Sequence, residues 1–270
     1  TNISIVMNGT TNQDISSTGA FKNLTINKVS GLITLSSNTT VNTALNFVSG
    51  KISIGNSNLI IGNSGAINNA NATNHIIAVG NGTLSQQVPA GGIKVFPVGQ
   101  SSAYTPATIA LTAGSTTDIL SVRMLTTPYH GGLSGDVAAN YAVNATWLIS
   151  EAVTGGSNAS ITLQWPLSLE LPGFNRSLSR LAHYTAGAWE FGNADIPAAG
   201  ANPYSVTRSG FTDFSPFAVS TYMALPVTWL TIHGRNDNEN NIINWSVASE
   251  LNNDHFIVEA SVDGNNFNVL

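Results

Sequence analysis

Histidines are the first candidates for chemistry in this chain, because each could bind a metal or transfer a proton. The five histidines are His75, His130, His183, His233 and His255. None has a second histidine or a carboxylate at the spacing that metal sites use. Asp254 precedes His255, but neighbouring residues on a strand point to opposite faces of the sheet. We therefore predict no metal site, and we expect each histidine at the surface or in a turn.

Serine nucleophiles and paired carboxylates give no clearer signal of catalysis. Serine is abundant, but no Gly-x-Ser-x-Gly elbow occurs, and nothing singles out a triad built from distant residues. A glycosidase needs two carboxylates that face each other across a cleft, and nothing in the sequence places Glu151 and Glu170 in that way. The sequence therefore predicts a protein that is not an enzyme and has no catalytic residue and no cofactor.

The polar run at residues 236–241 is the remaining candidate for binding an ion. It reads Asn-Asp-Asn-Glu-Asn-Asn and supplies many oxygen atoms, but it lacks the residue order and the glycine of an EF-hand. Asn and Asp are also typical of turns, so we interpret this run as a polar hairpin and leave calcium binding open.

Charge is scarce along the whole chain. Charged residues make up 9% of the sequence, whereas about 25% is usual, and 32 asparagines supply much of the polarity instead. The net charge is −5 and no Lys/Arg cluster exists, which excludes a surface that follows nucleic-acid phosphates. No apolar stretch approaches the roughly 18 residues of a membrane helix, so we predict no membrane span. The absence of cysteine excludes disulfides and thiolate metal sites.

The elements that position these residues are predicted to be almost entirely strands, and we divide them into three regions. In residues 1–88, short apolar runs recur every 7–12 residues with Gly, Asn and Ser between them. They are residues 24–26, 32–35, 44–47, 51–54, 59–61 and 66–67. This pattern predicts a β-solenoid, a parallel β-helix in which uncharged Asn and Thr stack from coil to coil. A β-sandwich is the competing interpretation.

Residues 89–220 contain longer strands with better alternation, which predicts a central antiparallel β-sandwich. Trp147, Trp165 and Trp189 fall on its strands, where packing in the core is the simplest role for them. An alternative role for Trp165 and Trp189 is an exposed, coplanar platform on which a glycan stacks.

Residues 221–270 begin with a short linker and continue with strands predicted at residues 227–233, 242–248 and 255–262. A turn at residues 263–266, Asp-Gly-Asn-Asn, leads to a fourth strand that starts at Phe267. Leu225-Pro226-Val227-Thr228 opens this region, and the segment that begins at Trp245 fits W-x-x-x-S-E-x-N-N-x-x-F-x-V-E-x-S-x-D-G-x-x-F. Over about 45 residues this pattern resembles a fibronectin type III-like module of proteins exported by the bacterial type IX secretion system.

The upstream sequence is similar to the same family. The similar segments are residues 95–99 (Val-Phe-Pro-Val-Gly), 104–106 (Tyr-Thr-Pro), 147–150 and 211–217. The resemblance implies export to the cell surface or the medium with a cleaved signal peptide, and it implies no particular activity. Thr1 at the start of the chain fits either a removed signal peptide or a trimmed chain.

The family module needs about seven strands, whereas we count three and the beginning of a fourth. A half-sandwich exposes an apolar face and unpaired strand edges. Truncation, a continuation through disordered residues, or strands from a neighbouring molecule would each explain the shortfall. The residues predicted to form assembly strands are Val227, Trp229, Ile232, Ile243, Trp245, Phe256, Val258 and Phe267.

These observations predict a non-enzymatic extracellular structural or adhesion protein. Its expected partners are copies of itself in a homopolymeric fibre, or a component of a host or cell surface. The alternative is an accessory glycan-binding module of a secreted carbohydrate-active enzyme.

Overall fold

A computed structural model of the chain describes residues 3–16, 19–221, 228–237, 240–249 and 256–269. It separates into two compact units, Thr1–Tyr222 and Met223–Leu270. Both are built from strands, and the described residues contain no α-helix. The all-β prediction is therefore confirmed.

In its described residues the first unit has twenty strands and two 3₁₀ helices, the latter at Leu167–Leu169 and Arg176–Leu178. Its strands are β1 (Ser4–Gly9), β2 (Gln13–Ile15), β3 (Ala20–Lys28), β4 (Ile33–Leu35), β5 (Thr39–Ser49), β6 (Ile52–Ser53), β7 (Leu59–Ile61), β8 (Ala66–Asn68), β9 (Ile76–Ile77), β10 (Leu84–Val88), β11 (Ile93–Phe96), β12 (Val98–Gly99), β13 (Ala107–Leu111), β14 (Asp118–Leu125), β15 (Ala142–Glu151), β16 (Ala159–Trp165), β17 (Ser179–Thr185), β18 (Ala188–Glu190), β19 (Tyr204–Phe211) and β20 (Pro216–Thr221).

The N-terminal part is the predicted β-solenoid. Two parallel stacks form its walls, in the orders β1-β3-β5-β7-β10 and β12-β9-β6-β4-β2. Ser4 lies beside Asn23 and Leu59 lies beside Leu84, so one coil takes between 19 (23 − 4) and 25 (84 − 59) residues. Alternation along the strands sends Leu24, Leu45 and their neighbours in the stack into a fully buried core.

Asparagine side chains tie each coil to the next at the corners. Asn38 Oδ1 accepts a hydrogen bond from the backbone N–H of Asn58 at 2.8 Å, and Asn58 Oδ1 accepts from Thr83 N–H at 3.0 Å. Asn12 does the same for Leu32 at 2.9 Å. These side chains satisfy backbone N–H groups at the corners, which a shorter or apolar side chain would leave unpaired. This explains the abundance of asparagine in this region.

The solenoid and the sandwich share one sheet and one core. Strand β10 pairs in parallel with β7 on one side and antiparallel with β14 on the other. The large sheet then continues through β15, β20, β17 and β18, and the second sheet of the sandwich has the order β11-β13-β16-β19. The predicted antiparallel sandwich is confirmed, but it forms one compact unit with the solenoid.

Beyond the predicted boundary at residue 88, β11 belongs to the sandwich, whereas β12 completes the second stack of the solenoid by pairing with β9. The Val-Phe-Pro-Val-Gly segment spans both parts, because Val95 and Phe96 end β11 of the sandwich and Val98 and Gly99 form β12. A Cβ on Gly99 would lie 2.4 Å from the backbone oxygen of Ala103, so the tight turn after β12 requires glycine. The motif therefore has a structural role at the junction between solenoid and sandwich.

The second unit forms two small antiparallel sheets in the residues that the structure describes. Its strands are β21 (Thr228–Asp237), β22 (Asn240–Ser249), β23 (Glu259–Ala260) and β24 (Asn268–Val269). Strand β21 pairs with β22, and β23 pairs with β24. The first two strands are longer than predicted, whereas the third is reduced to two residues.

Candidate assembly interface

The β21–β22 hairpin has one apolar face and one polar face. Ile232 lies opposite Trp245 and Gly234 lies opposite Ile243, so Ile232, Ile243 and Trp245 share a face. On the other face Thr231 and Ser246 form a hydrogen bond of 2.7 Å between their hydroxyls, and His233 lies opposite Asn244. We call Ile232, Ile243 and Trp245 the apolar hairpin face.

The apolar hairpin face is exposed to solvent. The exposed fractions are 62% for Ile232, 43% for Ile243 and 40% for Trp245. Phe256 contacts the Trp245 ring edge-to-face at 5.7 Å and covers part of it. Among the side chains that the structure describes in the second unit, none is buried. The unit therefore has alternating strands without a core of its own in the described residues.

Several predicted assembly residues are thus placed together and others are not. Ile232, Ile243, Trp245 and Phe256 are neighbours, whereas Val258 and Phe267 flank the two strands of the smaller sheet. Val227 lies outside the described residues, as does the side chain of Trp229, although its backbone belongs to β21.

The predicted turn at residues 263–266 is held by one carboxylate. Asp263 accepts hydrogen bonds from the backbone N–H groups of Asn266 at 2.8 Å and Asn265 at 2.9 Å, and from the Asn266 side chain. These donors hold the pKa of Asp263 far below its usual range. The polar run at 236–241 closes the hairpin through an Asn236–Asn241 side-chain hydrogen bond, and residues 238 and 239 lie outside the described part.

A second open surface lies in the first unit, at the first coil of the solenoid. Strand β1 pairs with β3, and its other edge has no strand partner among the described residues. Beside this edge lies a groove of about 380 Å³ with Asp14 and Ser16 at its polar part. Its apolar lining consists of Ile3, Ile5, Met7, Ile15 and Phe21. We call this surface the first-coil groove.

Two histidines are buried, so the prediction that all five lie at the surface or in turns is wrong for them. His75 packs beside Gly99 and Tyr104 at the last coil, and its Nε2 lies 2.9 Å from the Gln100 backbone oxygen. His183 stacks on Phe217 with 4.5 Å between ring centroids. His130 and His233 are exposed, and His255 lies outside the described residues.

Burial lowers the pKa of both buried histidines below the ordinary value of 6.5. Lys51 adds to the lowering at His75. At His183, Asp213 and Glu190 raise the pKa, whereas Arg208 lowers it further. His75 Nδ1 and His183 Nε2 have no hydrogen-bond partner, which fits neutral imidazoles packed as part of the core.

We expect the free energy of unfolding of the first unit to fall as the pH drops below about 6.5. Below this pH His75 and His183 bind protons in the unfolded chain, whereas burial disfavours their protonation in the folded chain. Acid therefore favours the unfolded state. Urea unfolding at pH 7.5 and pH 5.0 measures the difference. The His183→Phe variant keeps the stacked ring and should lose less stability in acid than the wild type. The exposed-site control His130→Gln should match the wild type, and an equal acid effect in H183F would contradict the assignment.

The predicted glycan platform does not exist in this structure. Trp165 is 0% exposed, and its indole N–H donates to Glu170 Oε1 at 3.0 Å. Trp189 is half-buried in a different sheet, donates its N–H to the Tyr129 backbone oxygen at 2.9 Å and meets Tyr184 edge-to-face. Both indoles pack against other parts of the protein. Alternation in the sequence alone could not distinguish such packing from exposure to a ligand.

The carboxylates that a glycosidase would need are engaged separately. Glu170 forms two hydrogen bonds of 2.8 Å with Arg176, whereas Glu151 Oε1 accepts from the backbone N–H of Gly155 at 2.9 Å. In the described part of the chain, no cluster of three or more His, Asp or Glu side chains is arranged to hold a metal. No helix in that part is long and apolar enough to span a bilayer.

Comparisons with known proteins add no assignment. No family model matches the chain, and no curated protein and no solved structure matches it significantly. The candidate site therefore rests on the geometry of the apolar hairpin face and the first-coil groove.

Proposed function

We propose that this chain is a non-enzymatic structural or adhesion protein of the cell exterior that assembles with copies of itself through its second unit. The observation that carries the proposal is the apolar hairpin face, which is exposed in a unit whose described side chains include no buried one. Apolar surface of this kind is stabilised when a partner covers it. Strand complementation by a neighbouring molecule would cover the face and pair the hairpin edges that have no strand partner among the described residues.

The first unit supports a structural role through its continuous core, its cross-coil hydrogen bonds and its weak charge. Its coils are joined by backbone ladders, by asparagine side chains and by a continuous core that runs into the sandwich. Only five of the first 110 residues carry a charge, so long-range repulsion between neighbouring molecules is weak. Location outside the cell and export by type IX secretion follow from the sequence resemblance and form part of this proposal.

Assembly is tested with the purified chain by analytical ultracentrifugation and negative-stain electron microscopy over a range of concentrations. We expect oligomers that grow into fibres as the concentration rises, because mass action increases the fraction of associated molecules. The Ile232→Lys variant places a charge on the apolar hairpin face and should sediment as a monomer.

The matched control is His233→Lys, which places the same charge on the polar face of the same strand and should assemble like the wild type. Monomeric wild-type chain at every concentration would overturn the proposal. Equal loss of assembly in H233K and I232K would show that charge, and not the apolar hairpin face, controls association.

A further inference from the structure

We propose that the outer face of the large solenoid sheet binds the ordered hydroxyl groups of an extended, uncharged polysaccharide. The face consists of the outward-pointing residues of β1, β3, β5 and β8, on the side of the sheet opposite to the buried core. Its central strands β3 and β5 each have a strand on both sides, so the face belongs to the interior of the sheet and not to a strand edge. The inference goes beyond the proposed function, because it names a ligand and does not depend on self-assembly.

The register aligns the outward-pointing side chains in three rows that cross the strands. The rows are Ser4, Asn23, Ala44 and Ala66; Val6, Thr25, Asn46 and Asn68; and Asn8, Asn27 and Ser49. We call these three rows the ladder face. Neighbours in a row lie on adjacent strands, about 4.8 Å apart, and successive rows follow the two-residue repeat of a strand, about 6.7 Å. The ladder face therefore presents polar groups that repeat in two directions.

Charge is absent from the ladder face. Strands β1, β5 and β8 contain no charged residue, and the two lysines of β3 lie outside the three rows. Lys28 is buried, and Lys22 lies beside the face, next to Asn23, where the register between β3 and β5 shifts. A charged ligand would find no counter-charge on this surface and would lose hydration without an ion pair in return. The ladder face therefore complements an uncharged ligand.

Hydrogen bonds from coil to coil hold the polar side chains of the ladder face in place. Asn68 Nδ2 donates to Asn46 Oδ1 at 2.8 Å, and Ser49 Oγ donates to Asn27 Oδ1 at 3.2 Å. A primary amide has two N–H donors and two acceptor lone pairs, so these amides can still pair with a ligand. Because the side chains are already oriented, a ligand that binds them does not have to restrict their rotamers, and this lowers the entropic cost of binding.

Sugar hydroxyls match this surface in chemistry and in periodicity. Each hydroxyl both donates and accepts a hydrogen bond, as an asparagine amide does. An extended polysaccharide repeats the same hydroxyls along its length and can therefore meet equivalent side chains on successive coils. A protein partner is a poorer match, because the centre of a protein interface is built on aromatic and large apolar anchors. The apolar members of the ladder face are only Val6, Ala44 and Ala66.

Affinity for such a ligand must come from many contacts made at once. A single hydrogen bond at a solvated surface contributes little, whereas a polymer that crosses several coils makes each further contact intramolecular. We therefore expect binding to a long, ordered polymer and not to a short piece of the same chain. Microcrystalline cellulose is the probe, because its chains are uncharged, extended and packed side by side.

The test measures how much purified protein microcrystalline cellulose removes from solution. The variant Thr25→Lys places a long charged side chain in the middle row, between Val6 and Asn46, and should weaken binding about tenfold because the charge would lose hydration under the polymer. Asn68→Lys changes an exposed position of the same row and should act in the same direction. The matched control is Asn81→Lys, at an exposed corner between β9 and β10 outside the three rows, which should bind like the wild type.

The outcomes separate this inference from the proposed function. Wild-type protein that assembles but stays in solution with cellulose would overturn the ladder face as a polysaccharide site and leave self-assembly intact. Equal binding by T25K, N68K and the wild type would also overturn it, as would displacement of the bound protein by cellotriose. Binding that persists in I232K and is lost when T25K is added to I232K would support a ladder face that acts without assembly. Circular dichroism of each variant confirms that the solenoid is folded before its binding is scored.

Discussion

Replacing Trp147 with alanine is expected to lower the free energy of unfolding of the first unit by about 4 kcal/mol. Trp147 is among the largest fully buried side chains, and on β15 it lies between Met124 and Phe217 of the neighbouring strands. Its indole N–H donates to the backbone oxygen of Thr105 at 2.8 Å, and Thr105 N–H donates to Val98 of the last coil at 3.1 Å. The variant would therefore leave a cavity and an unpaired carbonyl at the junction of solenoid and sandwich.

One further variant divides this loss between packing and hydrogen bonding, and a variant of a second tryptophan serves as a control. Trp147→Phe fills most of the cavity but leaves Thr105 without its donor, so a loss of about 1–2 kcal/mol is expected. Trp189→Ala removes a half-buried indole from the short strand β18 at the sheet edge and should cost less than about 2 kcal/mol. Urea unfolding followed by far-UV circular dichroism gives all three values. A change below about 1 kcal/mol in W147A would contradict the structural role of this contact.

The strands of the first unit were predictable from the sequence because local signals and packing agree there. Leu24, Leu45 and Leu59 stand in runs of two-residue period between Gly and Asn, and each is buried at the position that the alternation predicts. Asparagine at the corners predicted stacking from coil to coil, and the Asn38 and Asn58 hydrogen bonds provide it. Local propensity and the final fold point to the same structure in this region.

The joining of the two parts was not predictable, because it depends on contacts between distant residues. The sequence gives no sign that β10 uses one edge for β7 and the other for β14, since both pairings satisfy the same backbone pattern. His75 and Gly99 fit together across 24 residues, and neither has a sequence signal for burial. The prediction of a glycan platform was wrong for a related reason. Alternation places Trp165 on one face of its strand but does not show which face of the sheet is buried.

The apolar hairpin face was predicted more closely than the groove. Ile232, Ile243 and Trp245 stand out as alternating apolar residues in the sequence, and the register brings them together. The first-coil groove has no comparable signal, because Ile3, Ile5 and Met7 have the same alternation as the inner strands. Only the stack order shows that β1 has no further strand beside it among the described residues.

Replacing Lys28 with methionine is expected to lower the free energy of unfolding of the first unit by about 3 kcal/mol. Lys28 is only 2% exposed. Its ammonium donates to the backbone oxygens of Thr11 at 2.5 Å and Asn8 at 3.3 Å and to Gln13 Oε1 at 3.1 Å. Methionine fills the same volume, so the loss would come from oxygen atoms that are left without donors.

Lys22 provides the matched control, because it is an exposed lysine on the same strand, and Lys22→Met should change the stability by no more than about 0.5 kcal/mol. These hydrogen bonds of the Lys28 ammonium close the corner between β1 and β2, so their loss should also loosen the first coil. Hydrogen exchange of the backbone amides in residues 3–16 should become faster in K28M and remain unchanged in K22M. Unchanged exchange in residues 3–16 of K28M would contradict this role of Lys28 in the first coil.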